Sequence, residues 1–143
     1  MLGKQLDALL EGESNLVANL SNASALLNQF LERINWVGFY LMKDGELVLG
    51  PFQGLPACVR IQVGKGVCGT AVAEKKTMLI EDVHAFPGHI ACDAASQSEI
   101  VIPLIKDGSV IGVLDIDSPE LSRFTKEDQE GLELFTKVLM NHL

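Results

Sequence analysis

The chain lacks the long apolar run that a membrane-spanning helix requires. None of its 143 residues belongs to an unbroken stretch of about 18 apolar residues. Residues 1–8 also lack the basic segment and apolar core that mark a secretory signal. We therefore expect a cytoplasmic protein with no membrane partner.

Basic residues are scarce relative to acidic ones. The chain carries 11 lysines and arginines against 19 aspartates and glutamates, for a formal net charge of -8. An acidic protein is repelled by the phosphate backbone of nucleic acids and by anionic membrane surfaces. The charge balance therefore predicts no nucleic-acid partner.

Cysteines are few, odd in number and widely spaced. No two of Cys58, Cys68 and Cys92 are separated by the two residues of a zinc knuckle, so a structural zinc site is disfavoured and we assign no residue as a metal ligand. His84 and His89 could add ligands to Cys92, but their spacing is generic. Because cytoplasmic thiols are kept reduced, catalysis, metal binding and burial all stay open, and a disulfide framework is the weakest interpretation.

Apolar periodicity predicts the secondary structure. Steps of three and four residues indicate a helix at 14–33, a shorter one before it, another at 67–74, and a last helix that begins near Thr125. Asp-Gly pairs at 44–45 and 107–108 predict hairpin turns. The strand segments are 36–42, 47–49, 58–63, 77–80, 98–105 and 110–116. Together they predict a single α+β domain over 1–143, with a mostly antiparallel sheet of about six strands.

One long loop carries a thiol among small residues. The apolar residues in 81–97 follow neither a helical nor a strand spacing, which predicts a loop. A loop of this length within a compact domain is usually functional. It contains Cys92, and loop N–H groups can lower the pKa of a thiol. The residues alone leave two interpretations open, a nucleophile or an inert cysteine in a tight turn. Cys68, near a predicted helix start, fits a small buried hydrophobe.

Three carboxylates are expected at one end of the sheet. Asp115 and Asp117 are two residues apart on a strand and therefore share a face, and Glu99 opens the partner strand. Acids without a nearby base repel one another, which raises the pKa of at least one of them. The alternative is an ordinary solvated strand end.

Two aromatic residues also share a strand face. Trp36 and Tyr40 are four residues apart, and they could form an aromatic wall for an apolar or cationic group. Core packing would explain Trp36 equally well. The turn at 64–66, Gly-Lys-Gly, matches no phosphate-binding loop.

Five stretches of the sequence are specific enough to indicate a family: NWVGFY at 35–40, GPFQG at 50–54, GKGVCG at 64–69, DVHAFPGHIACD at 82–93 and GVLDIDS at 112–118. In these stretches the sequence resembles the free methionine-(R)-sulfoxide reductase family, a catalytic branch of the GAF domains. The resemblance runs over almost the whole chain, and many GAF domains lack cysteines at these spacings. Gln62 departs from the family pattern, which has proline there, and it lies outside the thiols and acids.

The resemblance implies a GAF-like fold and a role for each thiol. It implies that Cys92 is the nucleophile, that Cys58 resolves the sulfenic acid formed on it, and that Cys68 is an accessory thiol. Glu99 or Asp117 would protonate the sulfoxide oxygen.

The resemblance also implies the substrate, the reductant and the assembly. The substrate would be free methionine-(R)-sulfoxide, and thioredoxin, supplied with electrons from NADPH, would reduce a Cys58–Cys92 disulfide without any bound cofactor. The family is commonly homodimeric. The implied substrate-binding residues are Trp36, Tyr40, Asp115, Ile90 and Ala91.

Two other functions compete with the reductase. A ligand-sensing GAF module would use the same pocket for binding alone and would relay occupancy to a partner. A zinc-binding Cys/His domain would hold one tightly bound metal per chain and would unfold when a chelator removed it.

Overall fold

The architecture consists of four α-helices and one six-stranded sheet within the part of the chain that the structure describes, residues 2–89 and 95–143. The structure is a computed structural model. The predicted site residues Ile90, Ala91 and Cys92 lie outside the described residues. The elements are α1 Leu2–Leu10, α2 Leu16–Phe30, β1 Trp36–Lys43, β2 Glu46–Gly54, β3 Arg60–Gln62, α3 Gly66–Glu74, β4 Met78–Ile80, β5 Ser98–Lys106, β6 Ser109–Ser118 and α4 Lys126–Met140.

Every neighbouring pair of strands in the sheet is antiparallel. The strand order is β3-β2-β1-β6-β5-β4, so the two long hairpins, β1–β2 and β5–β6, meet through β1 and β6 at the centre. The α+β fold with a mostly antiparallel sheet of about six strands is therefore confirmed.

Both Asp-Gly pairs form hairpin turns with left-handed backbone. Asp44 and Gly45 have φ angles of 52° and 84°, and Asp107 and Gly108 have 52° and 81°. Two consecutive positive φ angles characterise the turns whose twist matches that of the flanking strands, and aspartate and glycine adopt them readily. The prediction from these dipeptides is confirmed.

The strand predicted at 58–63 is shorter than expected. Only Arg60–Gln62 pairs with β2, opposite residues 46–48, so Cys58 precedes the strand instead of opening it. Its neighbour β2 continues to Gly54, well past the predicted end at residue 49, because β1 pairs with it as far as Trp36. Pairing with neighbouring strands determines the lengths of β2 and β3, and the alternation of apolar and polar residues in the sequence does not reveal that pairing.

Side-chain caps define where the longer helices begin. Asn15 accepts a hydrogen bond from the Ala18 amide at 2.8 Å, and Thr125 forms a reciprocal capping box with Asp128 at the start of α4. The predicted start of the last helix is thus confirmed. Among residues 2–89 and 95–143, no helix is both long and apolar enough to cross a bilayer.

The two faces of the sheet have different linings. One, the apolar face, packs against α1, α2 and α4, and it receives Leu114 and Ile116 of β6. The other, the pocket face, packs against α3 and receives Val113 and the intervening Asp115. Because successive residues of a strand point to opposite faces, one strand supplies both linings.

Candidate active site

A pocket lies on the pocket face, where the sheet and the N-terminal end of α3 meet. It encloses a cavity of about 50 Å³, enough for several water molecules at the roughly 10–15 Å³ that each needs. Acidic, basic, aromatic and thiol groups meet there. The lining residues are Trp36, Tyr40, Pro56, Ala57, Ile61, Lys65, Gly66, Val67, Cys68, His89, Ser96, Glu99, Asp115 and Asp117.

Strand register brings the three predicted carboxylates into this pocket. Glu99 of β5 lies opposite Asp117 of β6, and Asp115 lies opposite Val101, two residues further along β5. All three acids line the cavity. This is the gathering at one end of the sheet that the strand period predicts.

Burial changes the protonation of this cluster. Burial raises the pKa of Glu99 well above its ordinary value, and the nearby Asp115 and Asp117 raise it further. Burial likewise raises the pKa of Asp115. A raised pKa favours the protonated form of a carboxyl group, which is the form that a general acid needs.

Cys68 belongs to the same cluster. Its side chain is buried, and burial, followed by the charges of Asp115 and Glu99, raises the pKa of its thiol well above the ordinary value. Cys68 is a free cysteine. At neutral pH it is therefore a thiol and a poor nucleophile, because the thiolate is the reactive form.

One oxygen of the cluster is unpaired. Asp115 is 6% exposed, and its Oδ1 has no hydrogen-bond partner among the described residues. Ligand atoms of Cys68, Glu99 and Asp115 lie within 4.8 Å of one another. A cationic group that donates a hydrogen bond would satisfy the unpaired oxygen. Four ligands, as a structural zinc site needs, are not assembled among residues 2–89 and 95–143, which supply three.

Two aromatic rings, Trp36 and Tyr40, line the pocket, and a third ring, Phe52, stacks on Trp36. Trp36 stacks on Tyr40 with ring centroids 6.0 Å apart and on Phe52 with centroids 5.1 Å apart. Gly38 lies opposite Phe52 in the β1–β2 pair, and a Cβ atom at Gly38 would collide with Phe52. The sequence predicted the first two rings. It missed Phe52 because only the β1–β2 register reveals that contact.

The aromatic wall also holds the segment that contains Cys58. The indole Nε1 of Trp36 donates to the carbonyl oxygen of Leu55 at 3.1 Å, and the Tyr40 hydroxyl donates to that of Cys58 at 2.8 Å. Burial, and then the charge of Asp115, raises the pKa of Tyr40, so its hydroxyl stays protonated and able to donate. Cys58 is half-buried and disulfide-bonded.

The start of α3 supplies the positive side of the pocket. Lys65 is the N-cap residue, and Lys65, Gly66, Val67 and Cys68 all line the cavity. The first amide groups of a helix lack intrahelical acceptors and favour anions. The Lys65 side chain is exposed and makes no ion pair or hydrogen bond with the described part of the chain. The sequence interpretation missed Lys65, although the lysine directly before a predicted helix was the available signal.

Two further residues line the pocket on either side of positions 90–94. His89 lies on one side, where burial and then the charge of His84 lower its pKa. Ser96 lies on the other and accepts a hydrogen bond from the Asn35 side-chain amide at 3.1 Å. The described chain therefore reaches the pocket both before and after the loop that contains the predicted nucleophile.

Comparison with known proteins identifies close relatives. The GAF domain family model matches residues 7–141. The free methionine-R-sulfoxide reductase of Escherichia coli (strain K12) is 61% identical over 131 residues, covering 92% of this chain and 79% of that protein.

Two solved structures of Staphylococcus aureus fRMsr are also similar. The reduced form has a TM-score of 0.97 at 58% identity, covering 99% of this chain and 92% of that one. The complex with substrate has a TM-score of 0.95 at 58% identity, covering 99% and 93%.

Proposed function

The chain belongs to the GAF domain family and, within it, to the free methionine-R-sulfoxide reductases, and from that premise we propose the residues and steps by which it acts. It is an oxidoreductase that reduces free methionine-R-sulfoxide to methionine. The observation that carries the assignment of residues is the buried Glu99–Asp115–Cys68 cluster, with its unpaired Asp115 oxygen, beside the aromatic wall.

Cys92 attacks the sulfoxide sulfur as a thiolate while Glu99 donates its proton to the sulfoxide oxygen. The raised pKa of Glu99 supports this choice of acid, since it favours the protonated carboxyl group that can donate a proton. The attack forms a sulfur–sulfur bond between Cys92 and the substrate. The hydroxyl group then passes from the substrate sulfur to the Cys92 sulfur as the sulfur–oxygen bond to the substrate and the sulfur–sulfur bond both break, so methionine leaves and Cys92 becomes a sulfenic acid. One equivalent of thiol is thereby oxidised as one sulfoxide is reduced.

Cys58 then resolves the sulfenic acid. Its thiolate attacks the Cys92 sulfur, hydroxide leaves and takes up a proton to become water, and a Cys58–Cys92 disulfide remains. The disulfide-bonded state of Cys58 supports it as the resolving residue in preference to Cys68, a buried free thiol. Thioredoxin returns both cysteines to thiols by exchange and is itself reduced at the expense of NADPH.

The charges of the pocket explain a preference for the free amino acid. The unpaired oxygen of Asp115, together with Asp117, accepts hydrogen bonds from the substrate ammonium group. The N-terminal end of α3 and the Lys65 ammonium group attract its carboxylate. A residue within a protein lacks both charges and leaves these groups unpaired. Trp36 and Tyr40 contact the substrate methyl group. A role for Ile90 and Ala91 in substrate binding rests on the family resemblance alone.

Assembly and location follow the family resemblance. We propose that the chain acts as a homodimer in the cytoplasm, where thiols are kept reduced between turnovers. Sedimentation velocity would measure the mass, and a species with the mass of one chain at working concentrations would contradict the dimer.

Coupled NADPH oxidation with thioredoxin and its reductase tests the assignment. The four substrates are free methionine-(R)-sulfoxide, the free S epimer, and a blocked peptide that contains either epimer. We expect turnover with the free R epimer alone. Absence of turnover with all four, from folded protein with reduced thiols, would support the sensing module.

Two variants then separate the thiols. Cys92→Ser should abolish turnover, whereas Cys68→Ala should lower kcat only a few-fold, since its thiol is not the reactive form. Full turnover by Cys92→Ser would contradict the assignment of the nucleophile.

A further inference from the structure

The segment around Cys58 exposes two large apolar side chains. Leu55 is 64% exposed and Val59 is 59% exposed, and they bracket the half-buried, disulfide-bonded Cys58. Single exposed apolar residues are common on protein surfaces. Here two of them flank the sulfur that an external dithiol must reach.

Hydrogen bonds to its backbone carbonyl groups hold the segment that contains Cys58 in place. The carbonyl groups of Leu55 and Cys58 accept from Trp36 and Tyr40, and that of Val59 accepts from the Leu49 amide at 2.8 Å. Three of the five carbonyls in residues 55–59 are therefore fixed by the rest of the fold. The exposure of Leu55 and Val59 follows from these contacts.

The exposed charge next to Val59 is already paired. Arg60 is exposed and forms an ion pair with Glu46 at 3.0 Å. Because the two charges offset each other, Leu55 and Val59 supply the apolar contact surface beside Cys58.

One small partner can contact both apolar residues and the sulfur between them. Three peptide units separate Leu55 from Cys58, so their Cα atoms are at most about 11 Å apart. A redox encounter complex buries less than roughly 600 Å² per partner, which corresponds to a disc of about 14 Å radius. A footprint of that size covers Leu55, Cys58 and Val59 together.

We propose that Leu55 and Val59 form the docking surface for a protein dithiol that reduces the disulfide of Cys58. The proposal rests on the proposed function above. The partner's thiolate attacks Cys58 Sγ, and Cys92 leaves as a thiolate, ready for the next substrate. The partner's second thiolate then attacks the mixed disulfide and releases Cys58. Two electrons pass from the partner dithiol, which becomes a disulfide.

The test compares a protein reductant with a small one. Turnover of Leu55→Ser/Val59→Ser is measured against thioredoxin concentration and, separately, with excess dithiothreitol, which needs no docking surface. The KM for thioredoxin should rise about tenfold, while the dithiothreitol rate and the KM for the sulfoxide stay unchanged. A KM for thioredoxin equal to that of the wild type overturns the proposal.

The matched control is Val17→Ser/Leu134→Ser. These residues are 61% and 63% exposed, close to the values of the test pair, and lie on α2 and α4. The control should leave the KM for thioredoxin unchanged, and an equal rise in both variants would also overturn the proposal. Absence of dithiothreitol-driven turnover in the wild type would instead contradict the proposed function.

A trapping experiment identifies the sulfur that is attacked. Oxidised enzyme is mixed with thioredoxin whose second active-site cysteine is serine, and the mixed disulfide is mapped by mass spectrometry. The expected attachment is to Cys58, formed more slowly by Leu55→Ser/Val59→Ser. Attachment to Cys92 alone would overturn the docking geometry.

Discussion

The two faces of the sheet carry the same strands but opposite chemistry. On the apolar face Leu114 and Ile116 are fully buried among the side chains of α1, α2 and α4. On the pocket face Asp115 is almost as buried, at 6% exposed, yet one of its oxygens has no partner among the described residues. Burial on the first face stabilises the fold, whereas burial on the second raises the pKa of acids and thereby prepares the proposed chemistry.

The contrast between the two faces shows that residues proposed to act in catalysis are buried at a cost in the free energy of unfolding. Burying a carboxyl group costs free energy because its charged form loses contact with water. The raised pKa values of Glu99 and Asp115 reflect this cost, at a pocket that a cationic group can enter. Substitutions on the pocket face should therefore impair activity without destabilising the protein, whereas substitutions on the apolar face should destabilise it without changing substrate binding.

The largest effect is expected from Glu99→Gln on the pocket face. Loss of the proposed proton donor should lower kcat about a thousandfold. The protein should at the same time become more stable at neutral pH. The pKa of Glu99 is higher in the folded protein than in the unfolded chain. The contribution of Glu99 to the free energy of unfolding is therefore greatest at a pH below its pKa in the unfolded chain, and it decreases as the pH rises towards its pKa in the folded protein.

Thermal unfolding measured at a series of pH values checks the predicted gain in stability of Glu99→Gln. The Tm of Glu99→Gln should exceed that of the wild type by about 4 °C near pH 7, and the difference should vanish near pH 4. A Tm below the wild-type value at neutral pH would show that Glu99 is a stabilising residue and would break the contrast between the faces.

The next effect is expected from Leu114→Ala on the apolar face. Leu114 is fully buried, so the truncation should cost about 3 kcal/mol and lower Tm by roughly 9 °C. The KM for the sulfoxide, measured at a temperature where the variant is folded, should not change. Leu134→Ala, at an exposed position of α4, serves as the control and should unfold like the wild type.

The smallest effect is expected from Lys65→Met at the start of α3. Removing the cation should raise the KM for free methionine sulfoxide about tenfold through weaker attraction of its carboxylate. Stability should be unchanged, because the Lys65 side chain is exposed and makes no hydrogen bond or ion pair within the described residues. An unchanged KM, measured by coupled NADPH oxidation, would remove Lys65 from the substrate site.

Local patterns predicted much of the fold. The Asp-Gly turns, the capping box at Thr125 and the shared face of Trp36 and Tyr40 depend on residues close in sequence, which is why they could be predicted. The true length of β3 and the ring contact of Phe52 depend on pairing with distant strands. The single-domain boundary at 1–143, and the roles of Ile90, Ala91 and Cys92, stay predictions.

The sequence by itself determined which groups could act, through the strand period that puts Asp115 and Asp117 on one face and through the small residues around Cys92. The tertiary structure alone decided their environment. Register places Glu99 beside Asp117, α3 places Cys68 and Lys65 at the same pocket, and burial sets the pKa of the acids. Chemical identity is local to a residue, whereas its desolvation and its charged neighbours come from segments far apart in the chain.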